Sequence, residues 1–163
     1  MDGGAAVPTV LIADDDADHR ELLGLTLGRL GYEVVAVADS EAVQLAIAAG
    51  GIDAVLLDVR MPGTSGIEMC RRLRADPVTA DLPIMLVSAD VMGERITAGM
   101  HAGADDYLTK PYHRAELGAR LGSLLQRRVD PVGKPATAAI AALLAARGLP
   151  KIIPVQAVAR RSA

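Results

Sequence analysis

Ala54-Val55-Leu56-Leu57-Asp58-Val59-Arg60-Met61-Pro62-Gly63-Thr64-Ser65-Gly66 runs four apolar residues straight into an acid, and a turn rich in Pro and Gly follows. A short unbroken apolar run bounded by turn residues fits a strand buried in a parallel sheet. Asp58 then stands at that strand's carboxyl end, the edge where open α/β sheets hold ligands. Alone, the pattern also suits a carboxylate that merely ends a strand and begins a turn. The rest of the chain weighs against that plainer reading, because it delivers further polar groups to the same kind of position.

Thr9-Val10-Leu11-Ile12-Ala13 is a strand-like run ending in Asp14-Asp15-Asp16. The helix after it carries Leu22, Leu23, Leu25, Thr26, Leu27 and Leu30 as its stripe, with Gly31 placed as a left-handed stop. Val34–Ala38 reads as a second strand. Ser40 is positioned to cap a helix whose Ala42, Val43, Leu45, Ala46 and Ile47 face inward before Gly50-Gly51. Ile52–Asp58 is the third strand, and Gly66 opens a helix to about Leu73 with a basic end at Arg71, Arg72 and Arg74. Ile84–Val87 leads to Ser88. A weaker helix spans about Met92–Ala102, interrupted by Gly99 and closed by Gly103. Asp106–Thr109 is a short fifth strand ending in Lys110-Pro111, and a last helix spans about His113–Arg128. Strands alternating with helices five times over require a parallel sheet with helices on both faces.

The 163 residues suit one domain with a tail. We divide them into a disordered lead (1–8), the α/β domain (9–128), and a linker with an Ala-rich basic tail (129–163). That tail holds a short helix candidate at Ala136–Arg147, and Leu149–Ala163 shows no clear period. Phe and Trp are absent, so Val, Ile, Leu, Met and Ala must build the core. The single Cys70 excludes an intramolecular disulfide and reads as a buried, inert thiol. All 20 acidic residues and 12 of the 17 basic ones lie at or before Asp130, leaving −8 there and +5 beyond. An acidic main domain argues against nucleic acid as its partner. The start lacks the basic region of a signal peptide, and no apolar run approaches a membrane span. A cytoplasmic protein is expected.

The strand ends deliver Asp14 and Asp15, Asp58, Ser88 and Lys110 to one edge of such a sheet. This is a set for a hard divalent cation and a phosphoryl group. Mg²⁺ prefers oxygen ligands and takes few carboxylates, leaving room for water and phosphate oxygens. Asp58 can act as a nucleophile that forms an aspartyl phosphate. Lys110 and the cation would offset phosphoryl charge, and Ser88 would donate a hydrogen bond to it. The acids at 14–16 also suit a helix start, and Asp16 and Asp18 are assigned to that lesser role. His19, His101 and His113 show no metal-ligand spacing and are given ordinary surface or partly buried roles.

Four motifs, Leu11-Ile12-Ala13-Asp14-Asp15-Asp16, Leu56-Leu57-Asp58-Val59-Arg60-Met61-Pro62-Gly63, Leu86-Val87-Ser88-Ala89 and Gly103-Ala104-Asp105-Asp106-Tyr107-Leu108-Thr109-Lys110-Pro111, resemble the receiver domain of two-component response regulators. The resemblance covers about residues 8–128. Each motif is weak alone; their order and intervals together are specific. It implies a flavodoxin-like sheet of five parallel strands in the order 2-1-3-4-5. It implies Asp58 as phosphoacceptor, with Ser88 and Lys110 completing the reactive set. The metal ligands it implies are Asp14, Asp15, Asp58 and the Arg60 backbone carbonyl. Ser88 and Tyr107 become the switch pair, and the Lys110-Pro111 peptide is expected to be cis. Arg60 and Asp90 fall at two positions that vary in the family beside the phosphoryl group.

The resemblance thus implies a Mg²⁺-dependent phosphoacceptor of a phosphorelay, served by a sensor histidine kinase or phosphotransfer protein and acting on a downstream protein, with homodimerisation left open. On this reading the chain is not an enzyme acting on a separate substrate, spans no membrane and does not contact DNA directly. One alternative is a Mg²⁺-dependent aspartyl-phosphate phosphohydrolase of the haloacid-dehalogenase type. That enzyme needs a second acid two residues after the nucleophile, where this chain has Arg60. Another is the receiver fragment of a longer DNA-binding or enzymatic regulator. About 35 residues follow Arg128, too few for a winged-helix output domain.

Overall fold

The computed structural model describes residues 6–126 and the backbone of 152–153. The chain runs β1 (Thr9–Ala13), α1 (Ala17–Arg29), β2 (Glu33–Val37), α2 (Ser40–Ala49), β3 (Ala54–Asp58), α3 (Gly66–Ala75), β4 (Ile84–Ser88), α4 (Gly93–His101), β5 (Asp106–Thr109), α5 (Arg114–Gln126) and β6 (Ile152–Ile153). The first five strands are parallel in the order 2-1-3-4-5, the flavodoxin-like arrangement expected from the sequence.

Strand alternation builds two apolar layers, because successive side chains point to opposite faces. Leu11, Val35, Val55, Leu57 and Leu86 pack with Ala42, Val43, Met69, Cys70 and Leu73 from α2 and α3. Val10, Ile12, Val34, Leu56, Met85 and Leu108 pack with Leu23, Leu27, Leu117, Leu121 and Leu124 from α1 and α5. Every residue of β1, β3 and β4 is buried. With both faces covered, parallel strands become continuous apolar runs, which is why these three were legible. Cys70 is free and buried, and burial pushes its thiol up to about 11.

Several local expectations need correction. Asp39, not Ser40, caps α2: its backbone is extended and its carboxylate accepts from the Ala42 N–H at 2.8 Å. An acid there also meets the positive end of the helix dipole. Leu22 is 63% exposed, because the buried face of α1 is Leu23, Gly24, Leu27 and Gly28. Gly99 does not interrupt α4. A Cβ there would come within 2.6 Å of Leu86 Cδ1, so glycine lets the helix pack closely on β4 and β5. Arg74, part of the basic helix end read from the sequence, is only 19% exposed. Its guanidinium donates to the carbonyls of Gly103, Ala80 and Leu82 and pairs with Asp105 at 2.8 Å, tying α3 to two loops.

β6 was not foreseen. It pairs antiparallel with β2, Val34 opposite Ile153 and Val35 opposite Ile152, and makes the sheet six-stranded. Two residues are too few for a periodicity to show. The start of the lead, the linker and the Ala136–Arg147 helix candidate lie outside the described residues.

Candidate functional site

Parallel strands set their carboxyl ends along one edge, and there β1, β3, β4 and β5 hand over the chain. Asp14 follows β1, Asp58 ends β3, Ser88 ends β4 and Lys110 follows β5. Asp14, Asp58 and Ser88 are all buried. The edge is therefore a polar floor cut into an apolar sheet.

Lys110 Nζ donates to Asp58 Oδ2 at 3.0 Å and to Asp14 Oδ2 at 3.3 Å, joining two acids 44 positions apart in sequence. Asp58 Oδ1 accepts from the Arg60 N–H at 3.0 Å, and Asp14 Oδ1 from the Asp16 N–H at 2.9 Å. Burial is the largest influence on all three charged groups, yet the outcomes differ. For Asp14, hydrogen bonds from His19 and the Asp16 N–H, with the Lys110 charge, overcome burial and hold the carboxyl at about 2. For Asp58, burial and the neighbouring Asp14 charge win over the Arg60 N–H and Lys110, and its pKa is raised. Burial alone would lower Lys110, but its contacts with the two acids raise it. One carboxylate is thus held firmly ionised, and its neighbour is pushed toward holding its proton.

Asp15 is exposed, but it can bring one carboxylate oxygen within 4.8 Å of those of Asp14 and Asp58. Three hard oxygen donors so placed suit a divalent cation of the Mg²⁺ type. Arg60 follows β3 directly, its N–H on Asp58 and its guanidinium 3.6 Å from Asp90. Ser88 Oγ accepts from the Asp90 N–H at 3.0 Å, and the Lys110 N–H donates to the Ser88 carbonyl at 2.8 Å. Tyr107 is buried at 8% exposure, its hydroxyl donating to the Asp90 carbonyl at 3.1 Å. The Ser88–Asp90 segment therefore carries contacts from both Ser88 and Tyr107. The Lys110-Pro111 peptide is cis, as expected.

Three features escaped the sequence reading. His19 is partly buried, one of the two roles expected, but its partners were not foreseen: Nδ1 contacts Asp14 Oδ2, and Nε2 lies 2.9 Å from the Tyr112 hydroxyl. Arg20 donates to the Asp14 carbonyl at 2.7 Å. Gly66 lies so close to β3 that a Cβ would meet the Asp58 carbonyl oxygen at 2.2 Å. For His19 the sequence carried no usable signal: only the structure shows the Asp16 carboxylate accepting from the Asp18 and His19 N–H groups, which puts His19 in the first turn of α1 beside Asp14. Asp16, assigned from sequence to a helix-start charge, is in addition the helix cap.

The family model for the response regulator receiver domain matches residues 10–122. The chain belongs to the response regulator receiver family. Over 136 residues the receiver is 40% identical to the phosphate regulon transcriptional regulatory protein PhoB of Pseudomonas aeruginosa, covering 83% of this chain and 59% of that one. It is 46% identical over 133 residues to the response regulator MprA of a Mycobacterium species, covering 80% and 56%. The receiver spans between half and three-fifths of the length of these relatives. It also superimposes on the crystal structure of a putative response regulator from Chloroflexus aurantiacus with a TM-score of 0.72 and 40% identity, covering 74% of this chain and 99% of that one. The four motifs and the receiver fold thus agree with the family match. Among the described residues no helix is long and apolar enough to cross a membrane.

Proposed function

We propose that this receiver accepts a phosphoryl group on Asp58 from the phosphohistidine of a sensor histidine kinase or a phosphotransfer protein. An Asp58 carboxylate oxygen attacks phosphorus; the O–P bond forms as the N–P bond to histidine breaks, and the electron pair leaves with the imidazole. The observation that carries this is Lys110 Nζ between Asp58 and Asp14, which puts a cation beside the oxygen that would receive the phosphoryl group. Asp14, Asp15, Asp58 and the Arg60 carbonyl are the proposed holders of Mg²⁺. Bound there, Mg²⁺ would offset negative charge on the phosphoryl oxygens. Lys110 exchanges a carboxylate for a phosphoryl oxygen, and the Ser88 hydroxyl, whose Oγ accepts from Asp90, keeps its own proton to donate.

The switch runs through the Ser88–Asp90 segment. When Ser88 turns to the phosphoryl group it releases the Asp90 N–H, and the Asp90 carbonyl that holds Tyr107 moves with it. Output then passes to a downstream protein, or to a second copy of the chain, through α4 and α5. The −8 charge of residues 1–130 supports protein contacts over direct DNA contact by this unit. PhoB is by name a transcriptional regulator, so DNA control in a longer assembly is a reading this one accommodates. Arg60, where a phosphohydrolase would place its second acid, supports a signalling module that is not an enzyme acting on a separate substrate. Incubation with Mg²⁺ and acetyl phosphate is the test. One hydroxylamine-labile phosphoryl group should be added, and none to Asp58→Ala; an undiminished adduct on Asp58→Ala refutes the assignment.

A further inference from the structure

Asp14 is the most enclosed charge of the site, 2% exposed, and its oxygens are already engaged. Oδ1 takes the Asp16 N–H, while Oδ2 takes Lys110 and His19. A carboxylate has about four acceptor positions, so three donors leave roughly one for a cation. These donors therefore decide which lone pair a metal can use. Asp16 and Lys110 approach from the backbone that enters α1 and from the end of β5. His19 differs in that its ring is itself held from behind. Nε2 lies 2.9 Å from the Tyr112 hydroxyl, and the two rings meet edge to face with centroids 6.0 Å apart. Tyr112 follows the Lys110-Pro111 pair and packs on the layer formed with α1 and α5. An ionised carboxylate can only accept, so Nδ1 carries the proton in this contact whatever Nε2 does.

We propose that His19, braced by Tyr112, is a positioning residue that fixes the Asp14 carboxylate for metal binding and ties that carboxylate to the segment between β5 and α5. The inference rests on Asp14 being a metal ligand and deepens that reading. Metal-ligating groups are commonly oriented by a hydrogen-bonded partner, and loss of such a partner typically costs about 10–100-fold in metal affinity. Without His19, Asp14 Oδ2 keeps Lys110 as its one side-chain donor, and the carboxylate is free to turn so that Oδ1 no longer presents its remaining lone pair to the cation.

Calorimetric titration of the full chain with Mg²⁺ tests this. His19→Ala should weaken Mg²⁺ affinity roughly tenfold or more. Tyr112→Phe, which keeps the ring but removes the hydroxyl, should weaken it less. His19→Asn, whose side-chain N–H₂ can replace the Nδ1 donor, should restore most of it. Urea midpoints without metal provide the control for folding, and Tyr112→Phe and His19→Asn serve if His19→Ala does not fold. A folded His19→Ala that binds Mg²⁺ as tightly as wild type, or tighter, overturns the proposal while leaving the metal site standing. An Asn variant no better than Ala overturns the donor role. Wild-type protein that takes up no Mg²⁺ overturns the metal site itself, and this inference with it.

Discussion

Lys110 Nζ lies 3.0 Å from Asp58 Oδ2 and 3.3 Å from Asp14 Oδ2, so one cation serves two buried carboxylates. Removing one partner of a buried ion pair costs about 3–5 kcal/mol. Lys110 is 22% exposed, and solvent screening brings the expected loss for Lys110→Met to roughly 1–3 kcal/mol. Urea unfolding without metal should show this loss. Millimolar Mg²⁺ should recover more stability in Lys110→Met than it adds to wild type, since it supplies the missing positive charge. Equal Mg²⁺ effects on the two proteins would contradict this view of the cluster.

Asp58 and Asp14 should respond to pH in opposite senses. Asp58 has a raised pKa, from burial first and then the Asp14 charge. A carboxyl whose pKa is higher in the folded state subtracts stability as pH rises through that pKa. Asp58→Asn should therefore melt above wild type near neutrality. The advantage should fade as pH falls through the raised value toward 3.8. Asp14, lowered from 3.8 to about 2, contributes stability that is complete above 3.8 and lost as pH falls through 2. Asp14→Asn should cost about 2 kcal/mol at neutral pH, and less at each step down that window. Melting curves of both variants from neutral to strongly acidic pH give the two profiles.

Ser88→Ala should leave Asp58 open to phosphorylation but weaken the response beyond it. The alanine lacks both the Oγ that accepts from Asp90 and the hydroxyl proton that would follow the phosphoryl group. NMR shifts on adding beryllofluoride, a phosphoryl mimic, are expected to be retained around Asp58 and reduced in α4 and α5. Shifts in those helices equal to wild type would remove Ser88 from the coupling.

The strands were legible because doubly covered parallel strands leave long apolar runs. The carboxyl-edge residues Asp14, Asp58, Ser88 and Lys110 were legible because each ends such a run. Contacts set by three-dimensional packing were not. Arg74 stands in a basic cluster, and only the fold shows that the Gly103 and Leu82 carbonyls surround it. His19 lacks metal spacing because it touches a carboxylate and a tyrosine 93 positions away. Asp39 displaced Ser40 as a cap because the strand exit, not the residue type, chose which side chain reaches the Ala42 N–H.

The Ile152–Ile153 strand covers the edge of β2. A bare sheet edge offers unpaired N–H and C=O groups to another chain. Deleting residues 127–163 should accelerate hydrogen exchange at the β2 amides that face away from β1, by roughly tenfold or more if the pairing closes local opening. It should also increase self-association in light scattering, while phosphorylation of Asp58 stays intact. Unchanged exchange and unchanged mass would show that the pairing does not protect this edge.

The phosphoacceptor itself is tested most directly by locating the acyl phosphate. Protein treated with Mg²⁺ and acetyl phosphate is reduced with borohydride, which converts a phosphorylated aspartate to homoserine, and is then mapped by peptide mass spectrometry. Homoserine is expected at position 58 and at no other aspartate. Homoserine at position 14 or 15, or none anywhere under conditions where Mg²⁺ binds, would contradict the assignment of Asp58.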